Sequence, residues 1–382
     1  MVNTDSLVTL QGTVRAASPQ QTWESIADRL LEFGISRVSR LTGLDNINIP
    51  VWAATRPASL TLSVSQGKGA DDLLAKLSAV MEAIELWHVE QPLPVIAVGT
   101  AADVEPGYPI SGLPMSVQYP ERIASRITFE WTAGTTVVHG SGTLIPVDLI
   151  RRPIQRHEWS PALLRATTTG LACGNTRNEA LLHALFEVVE RDALYRDSMV
   201  DGALRTPVDP ESVDDAYGQD IIGKFTAADM QIELALVRNP YDLPVCLAYL
   251  FSEDFPVAFA GSGCHSDPAI ALTRAMTEAA QSRLTAIAGT RDDLPSDFGS
   301  FNAPAFFSGS QSGRAPWRTA TCDYEAIRTG FGDQVADIAS RLMRFTGHEP
   351  LALDLSSSPG PIVAVQVVCP GTASRITRTM RR

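Results

Sequence analysis

The sequence predicts an α+β protein in which helices pack against antiparallel or mixed sheets. Short strand-like runs alternate with helical segments along the chain, and three of the helical segments repeat one polar frame. The frames are SAVMEAIE at residues 78–85, HALFEVVE at residues 183–190 and RAMTEAAQ at residues 274–281. Each places polar residues at positions i, i+4 and i+7, which lie on one stripe of a helix.

The second frame belongs to a segment that is apolar almost all round, so the helix and its Glu187 and Glu190 are expected to be buried. Buried carboxylates need a cation, hydrogen-bond donors or a raised pKa. Glu187 and Glu190 therefore predict a site for a divalent metal and a polyanion. Glu82 and Glu85 of the first frame and Arg274 of the third would belong to the same site. Oxygen ligands favour Mg²⁺ over zinc.

The elements before the second frame follow from periodicity and turn residues. Helical spacing with a Ser-Pro start predicts a helix at residues 19–33, and β-type runs predict strands. The predicted strands are 35–38, 48–53, 60–64, 127–132 and 136–138, with Gly67-Lys68-Gly69 as a turn into the first frame. Residues 91–160 are rich in proline and predict a strand-rich insertion.

The first and second frames follow a similar pattern. Gly69 precedes Glu82 by the same 13 residues that separate Gly174 from Glu187, which indicates a duplicated strand–glycine–helix unit. The remaining expectations are strands at 232–237, 245–250, 259–263 and 361–368, a third helix entered through Asp267-Pro268, a loop at 289–320, a helix at 335–345 and a loose basic tail at 375–382.

The composition limits the class of protein. With 382 residues and 45% hydrophobic content, the chain can form a sizeable core, and a net charge of −12 argues against non-specific nucleic-acid binding. The N-terminus lacks a signal-peptide pattern, and no apolar run is long enough for a membrane span. The five scattered cysteines fit free thiols and a cytoplasmic protein.

Each candidate residue also has an ordinary explanation. A single Glu is usually a solvated helix residue, although Glu187 and Glu190 have no polar face to occupy. The Gly67-Lys68-Gly69 run is too short for a phosphate-binding P-loop and is more often a turn, yet it could present N–H groups to phosphate. Arg291 could pair with neighbouring acids, and His183 could be a ligand, a base, a donor or a core histidine. No zinc-protease or hydrolase motif is present.

Taken together, these motifs resemble the YcaO family of ATP-dependent peptide-backbone cyclodehydratases. The resemblance covers nearly the whole chain from about residue 10 and rests on SQGKG at 65–69 with the first frame, GLACGN at 170–175 with the second frame and its following Arg-Asp, and EAAQSR at 278–283. It implies a YcaO-like fold in which the three Glu- or Gln-bearing helices surround ATP and Mg²⁺.

The resemblance also assigns residues to roles. It implies that Mg²⁺ is held by Glu82, Glu85, Glu187 and Glu190, and that Glu82, Glu187, Glu190 and His183 serve catalysis. The implied nucleotide contacts are Arg15, Thr22, Lys68, Ser78, Arg274, Glu278, Gln281 and Arg283. Where family members often carry Arg after the first Glu pair, this chain has Leu86. We expect one catalytic domain over 1–382, with a nucleotide-contacting part at about 1–60, a core at 61–370 and a tail at 371–382.

Residues 34–45 and 49–57 resemble the YcaO subgroup that works beside a TfuA-type protein and is linked to backbone thioamides. The C-terminus lacks the PxPxP end common in azoline-forming members. The expected function is therefore ATP-dependent activation of a backbone amide in a ribosomally made precursor peptide, with thioamide formation and a TfuA-like partner. Azoline formation, macroamidine formation, a non-catalytic ATP-binding scaffold and a homodimer remain open, and neither nucleic acid nor membrane is an expected partner.

Overall fold

The computed structural model describes residues 7–116, 118–152, 163–291, 313–327, 329–356 and 360–374. The strands in this part of the chain are β1 Val8–Leu10, β2 Thr13–Arg15, β3 Arg37–Arg40, β4 Val51–Thr55, β5 Val64–Lys68, β6 Ala97–Thr100, β7 Thr128–Thr136, β8 Gly142–Pro146, β9 Leu171–Gly174, β10 Arg205–Val208, β11 Gln231–Val237, β12 Val245–Phe251, β13 Phe259–Cys264, β14 Leu351–Asp354 and β15 Val363–Val368. The α-helices are α1 Pro19–Ile26, α2 Asp72–Val89, α3 Ala101–Val104, α4 Glu121–Ala124, α5 Arg177–Met199, α6 Ala216–Ala227, α7 Pro268–Ala288, α8 Trp317–Ala320 and α9 Phe331–Thr346.

The strands form four antiparallel sheets. Strands β1 and β2 make a hairpin, β3-β4-β5 make a three-stranded sheet, and β10-β11-β12-β13 make a four-stranded sheet. The largest sheet has the order β6-β7-β14-β15-β9, with β8 paired to β7. The architecture is therefore α+β, and the three Glu or Gln frames lie in α2, α5 and α7, as predicted.

Each of these three helices begins at a side-chain cap. Asp71 accepts from the N–H of Leu74, Thr176 from that of Glu179, and Asp267 from that of Ala269. Such caps satisfy backbone donors that the first helical turn leaves without a partner. The expected entry of the third helix through Asp267-Pro268 is confirmed.

Helix α5 is largely buried. Its apolar side chains, including Leu185 and Val189, pack in one buried cluster with residues of α9, β12 and β15. Helix α7 packs in a second cluster against the four-stranded sheet and α6. Helix α2 packs in a third cluster with α1 and with Cys173 of β9. All three polar stripes are thus anchored by buried apolar faces.

Several predicted boundaries were wrong. The first three strands were expected at 35–38, 48–53 and 60–64, but β3, β4 and β5 each start later. Their register is set by antiparallel pairing, with Arg37 opposite Thr55 and Val51 opposite Lys68. Gly67 and Lys68 consequently belong to strand β5 and not to a turn. The helix expected at 19–33 is α1 followed by a 3-10 helix over Ala27–Phe33.

The second half of the chain agrees better with its pattern. Strands β11, β12, β13 and β15 and helix α9 lie close to where they were predicted. The run at 127–132 belongs to one long strand, β7, which ends at Thr136, so the strand predicted at 136–138 is wrong because residues 137–138 form a turn. The loop expected at 289–320 falls mostly on residues 292–312, and the tail on 375–382. Both of these stretches lie outside the described residues, although α8 shows that 317–320 is helical.

Candidate active site

Glycines bring two of the polar helices into direct backbone contact with the strand before them. A Cβ atom on Gly67 would lie 1.9 Å from the backbone nitrogen of Ala79 in α2, and one on Gly263 would lie 2.3 Å from the carbonyl oxygen of Ala271 in α7. Gly67 and Gly263 both stand fifteen residues before the Glu of their frame, Glu82 or Glu278. The equal spacing therefore reflects a repeated close packing of strand on helix.

The carboxylates of α2 and α5 face one another. Oε1 of Glu85 accepts a 2.8 Å hydrogen bond from the N–H of Cys173. Burial, together with repulsion from Glu82 and Glu187, holds the pKa of Glu85 well above its ordinary value. A carboxyl pKa that is raised by burial and by neighbouring carboxylates indicates that these groups lie close together, away from water, with too few cations nearby to neutralise them.

Glu187 and Glu190 differ in exposure. Burial raises the pKa of Glu187 to about 7, Arg191 opposes the shift, and Glu190 adds to it. The Glu190 side chain is buried as predicted, whereas that of Glu187 is only partly buried, with 27% of its surface exposed. Oε1 of Glu190 accepts a 2.6 Å hydrogen bond from Ser262, and Oε2 of Glu187 accepts one of 3.1 Å from the N–H of Gly170.

Basic residues join the three frames. Arg191 lies 3.5 Å from Glu187 and 3.4 Å from Glu190, and these carboxylates with Glu278 raise its pKa despite its burial. Lys68 of β5 lies 3.6 Å from Oε2 of Glu278 in α7. Burial acts to raise the pKa of Glu278, but Lys68, Arg191 and Arg274 together lower it. These charges therefore link the third frame to α5, which carries the second frame, and to β5, the strand before the first frame.

The N-terminal residues reach the same region. Nη1 of Arg15 lies 2.8 Å from Nε2 of His183 and 3.5 Å from Glu179. Because a guanidinium can only donate, Nε2 of His183 is the acceptor. Burial, with Arg15 and Arg274 nearby, holds the pKa of His183 well below its ordinary value, so the ring is neutral. Thr22 donates a 2.8 Å hydrogen bond to Asn175.

Gln281 and Arg283, two residues of α7 that were predicted to contact the nucleotide, lie in different surroundings. Gln281 lies on the same stripe as Glu278 and donates a 3.0 Å hydrogen bond to the carbonyl of Gln66. Arg283 lies on another face of α7, where it is only 3% exposed and is bound by Asp45, Asp254 and Ser252. This arrangement does not support the predicted nucleotide contact of Arg283, because its donors are already engaged by buried and neighbouring acceptors.

Sequence reasoning missed three residues that the fold brings into the cluster: Asn175, Glu179 and Arg191. Glu179 is fully buried and continues the stripe of His183 and Glu187 one turn towards the start of α5. Its position at i−4 from His183 was the available signal. Ser78 lies one turn before Glu82 on α2, and Leu86, where an Arg was expected, is buried and apolar.

The side chains of this site include groups suited to an anionic ligand and groups suited to a cation. Nε of Arg274 is buried without a hydrogen-bond partner, which is costly unless an acceptor is supplied. Within the described ranges, no three His, Cys, Asp or Glu side chains are arranged to hold a metal ion alone. Mg²⁺ bound with a nucleotide is usually held by one or two carboxylates together with substrate phosphates and water.

A family profile described as YcaO cyclodehydratase, ATP- and Mg²⁺-binding, matches residues 66–373. The chain belongs to the YcaO family. ATP and Mg²⁺ are therefore its cofactors, and the unpaired Arg274 donor and the crowded carboxylates are consistent with them. The assignment confirms the family resemblance that the three frames carried.

Relatives and solved structures agree with the YcaO assignment. An uncharacterised protein of Mycobacterium tuberculosis is 35% identical over 97% of this chain and 85% of its own length. A protein described from the tfuA 3′ region of Rhizobium leguminosarum bv. trifolii is 38% identical over 73% of this chain and 69% of its own. The YcaO structure from Methanopyrus kandleri bound with AMPPCP and Mg²⁺ matches with a TM-score of 0.72 and 19% identity over 100% of both chains. The Escherichia coli microcin synthetase McbBCD complex matches at 0.65 and 14%, over 87% of each chain.

Proposed function

We propose that this YcaO protein uses ATP to activate a backbone amide of a ribosomally synthesised peptide, and that a sulfur nucleophile then converts the amide to a thioamide with the help of a TfuA-like partner. The observation that carries the choice of sulfur is the 38% identity to the protein from the tfuA 3′ region.

The proposed reaction exchanges one oxygen for one sulfur. Hydrosulfide adds to the amide carbon, and the resulting oxyanion takes the γ-phosphoryl group of ATP. The carbon–oxygen bond then breaks, phosphate leaves with the former amide oxygen, and loss of the sulfur-bound proton leaves a carbon–sulfur double bond. ADP and phosphate are the other products. Catalysis of this kind depends on positioning and on electrostatic stabilisation of the phosphoryl group.

Mg²⁺ would supply positive charge to the phosphates. In this proposal it is held by Glu82, Glu85, Glu187 and Glu190, and the catalytic contribution of Glu82, Glu187 and Glu190 is to fix that charge. Arg15 and Arg274 suit the phosphate oxygens, because guanidinium groups bind them with directed donors. His183 accepts from Arg15 and so orients it. The further proposed nucleotide contacts are Thr22, Lys68, Ser78, Glu278 and Gln281.

The setting of the reaction is part of the proposal. None of the described helices is both long and apolar enough to cross a membrane. All five cysteines are free thiols, as is usual in a reducing compartment. We therefore place the protein in the cytoplasm, acting as one catalytic domain over residues 1–382 on a precursor peptide.

The test uses the purified protein with ATP, Mg²⁺, a candidate precursor peptide labelled with heavy oxygen at its amides, and a sulfide source, with and without a TfuA-like protein. The expected product has exchanged one oxygen for sulfur, and the heavy oxygen is recovered in the released phosphate. Loss of water from the peptide without any sulfur source would overturn the choice of sulfur. Unlabelled phosphate from a modified peptide would overturn activation by phosphorylation of the amide oxygen.

A further inference from the structure

Strand β13 turns its two faces towards different polar helices. Gly261 and Gly263 face α7, where a Cβ atom on them would lie 2.2 Å and 2.3 Å from backbone carbonyl oxygens of that helix. Side chains alternate across a strand, so Ser262, between these glycines, points away from α7. Cys264, on the same face as Ser262, packs in the buried cluster that contains the apolar side chains of α5. The fold therefore presses β13 onto α7 and directs Ser262 towards α5.

On that side Ser262 binds one oxygen of Glu190. Ser262 is only 1% exposed, and its Oγ lies 2.6 Å from Oε1 of Glu190. A carboxylate can only accept, so the hydroxyl donates. Nη1 of Arg191 lies 3.4 Å from the same oxygen. Among the described residues, both contacts use Oε1 and leave Oε2 of Glu190 without a hydrogen bond.

Two other carboxylates of the site are held by donors from another segment of the chain. Oε1 of Glu85 accepts from the N–H of Cys173, and Oε2 of Glu187 accepts from the N–H of Gly170. In both cases the donor lies in β9 or directly before it, and it belongs to the backbone. Ser262 uses its side chain instead. A substitution can therefore remove the contribution of Ser262 without changing the course of the backbone.

The backbone of Ser262 also contacts the third frame. Burial acts to raise the pKa of Glu278, but nearby cations and the N–H of Ser262 lower it. One residue of β13 thus serves α5 with its hydroxyl and α7 with its N–H. Replacement of the side chain leaves the second contact in place, so the effect of the hydroxyl can be measured by itself.

We propose that Ser262 is a positioning residue for the metal site, and that its hydroxyl holds Oε1 of Glu190 so that Oε2 is available to Mg²⁺. The inference rests on the proposed function, in which Glu190 is a metal ligand, and adds a residue that acts through this ligand. Groups that orient a metal ligand typically contribute about 10–100-fold to metal affinity. Ser262 itself does not bind the metal.

The test measures Mn²⁺ binding by electron paramagnetic resonance in the full chain with a non-hydrolysable ATP analogue, since Mn²⁺ takes the same kind of oxygen ligands as Mg²⁺. Ser262→Ala removes the hydroxyl, and Ser262→Cys keeps a side chain of similar shape with a weaker donor. Both should bind Mn²⁺ at least about tenfold more weakly than the parent. Ser266→Ala is the matched control and should bind as the parent does, because Ser266 is 2% exposed and donates over 2.8 Å to Gln334 of α9.

A double variant separates positioning from packing. If Ser262 acts through Glu190, then adding Ser262→Ala to Glu190→Gln should change the Mn²⁺ affinity little, because the oriented carboxylate is already gone. An equal loss of affinity in both backgrounds would overturn the proposal, as would parent-like affinity in Ser262→Ala. If Ser262→Ala does not fold, Ser262→Cys decides the question by the same comparison.

Failure of the proposed function would be seen separately. Weakened Mn²⁺ binding in Ser262→Ala, together with no thioamide product from the parent, would support the role of Ser262 and contradict the proposed chemistry. A parent protein that binds no Mn²⁺ with the nucleotide analogue would contradict both the metal ligands of the proposed function and the role of Ser262.

Discussion

The N–H of Cys173 donates a 2.8 Å hydrogen bond to Oε1 of Glu85, and this contact joins the strand before the second polar helix to the first polar helix. Residues 88 positions apart in the chain thus meet at the centre of the site. The contact favours the ionised carboxylate, but burial outweighs it and keeps the pKa of Glu85 raised. The site therefore holds negative charge that a bound cation would stabilise.

The Glu pairs are expected to determine metal–nucleotide affinity. Glu82→Gln and Glu187→Gln each remove one ligand charge while keeping the volume, so each should weaken Mg²⁺–ATP by about tenfold or more, or about 1.4 kcal/mol, with the fold intact. Calorimetry measures the affinity. The control is Glu130→Gln, which alters a partly exposed surface pair with Arg151. Unchanged affinity in both site variants would show that the metal assignment is wrong.

Without metal, the free energy of unfolding should fall as the pH rises from 4.5 to about 7, the ordinary and the folded-state pKa of Glu187. Its pKa is raised from 4.5 to about 7 in the folded protein, so between these values the folded state binds more protons than the unfolded state. The free energy of unfolding then decreases with pH, by at most about 1.4 kcal/mol per unit for one group. Urea unfolding at several pH values should show a flatter dependence for Glu187→Gln. A slope identical to the parent's would contradict this account.

The glycine before the first polar helix should not tolerate a side chain. In Gly67→Ala the new Cβ would lie 1.9 Å from the backbone of α2, so strand and helix must separate, at a cost of about 1–3 kcal/mol or more. Gly223→Ala is the matched control, because that glycine is in a helix and nothing lies within 4 Å of its added Cβ. It should be neutral or slightly stabilising. Equal thermal stability of the two variants would argue against close strand–helix packing.

Arg274 and Arg283 should separate nucleotide binding from folding. Arg283→Met leaves Asp45, which is 6% exposed, without its cation, and removal of one partner of a buried pair costs about 3–5 kcal/mol. Arg274→Met should instead lower ATP affinity, because it removes the unpaired donor. Chemical denaturation and calorimetry on both variants check this. A folded Arg283→Met protein with lost ATP affinity would restore the nucleotide contact that the family resemblance implies for Arg283.

The C-terminal tail is expected not to supply the catalytic base. Residues 375–382 are basic and contain no proline, unlike a rigid PxPxP end. The last described residues are held independently of the tail, since the N–H of Ala373 donates a 2.8 Å hydrogen bond to Asp192. Removal of 375–382 should therefore leave turnover nearly unchanged. A loss of several orders of magnitude with intact ATP affinity would favour azoline formation.

The sequence alone is sufficient to predict the three polar helices and most of their candidate functional side chains. Their frames depend on positions i, i+4 and i+7 of one helix, and that geometry is local. The same local geometry singles out the Glu pairs, Arg274 and Glu278 as candidate ligands. The entry of α7 through Asp267-Pro268 and the strands β11 to β13 follow from equally local patterns of turn residues and apolar runs.

Only the tertiary structure decided which groups face those stripes. Arg274 and Arg283 look alike in the sequence, yet the packing of α7 points one towards the carboxylates and the other towards Asp45. The register of β4 and β5 placed Gly67 inside a strand, and burial set the pKa of Glu187. These outcomes depend on contacts between segments far apart in the chain, and the periodicity of a single segment carries no information about its neighbours.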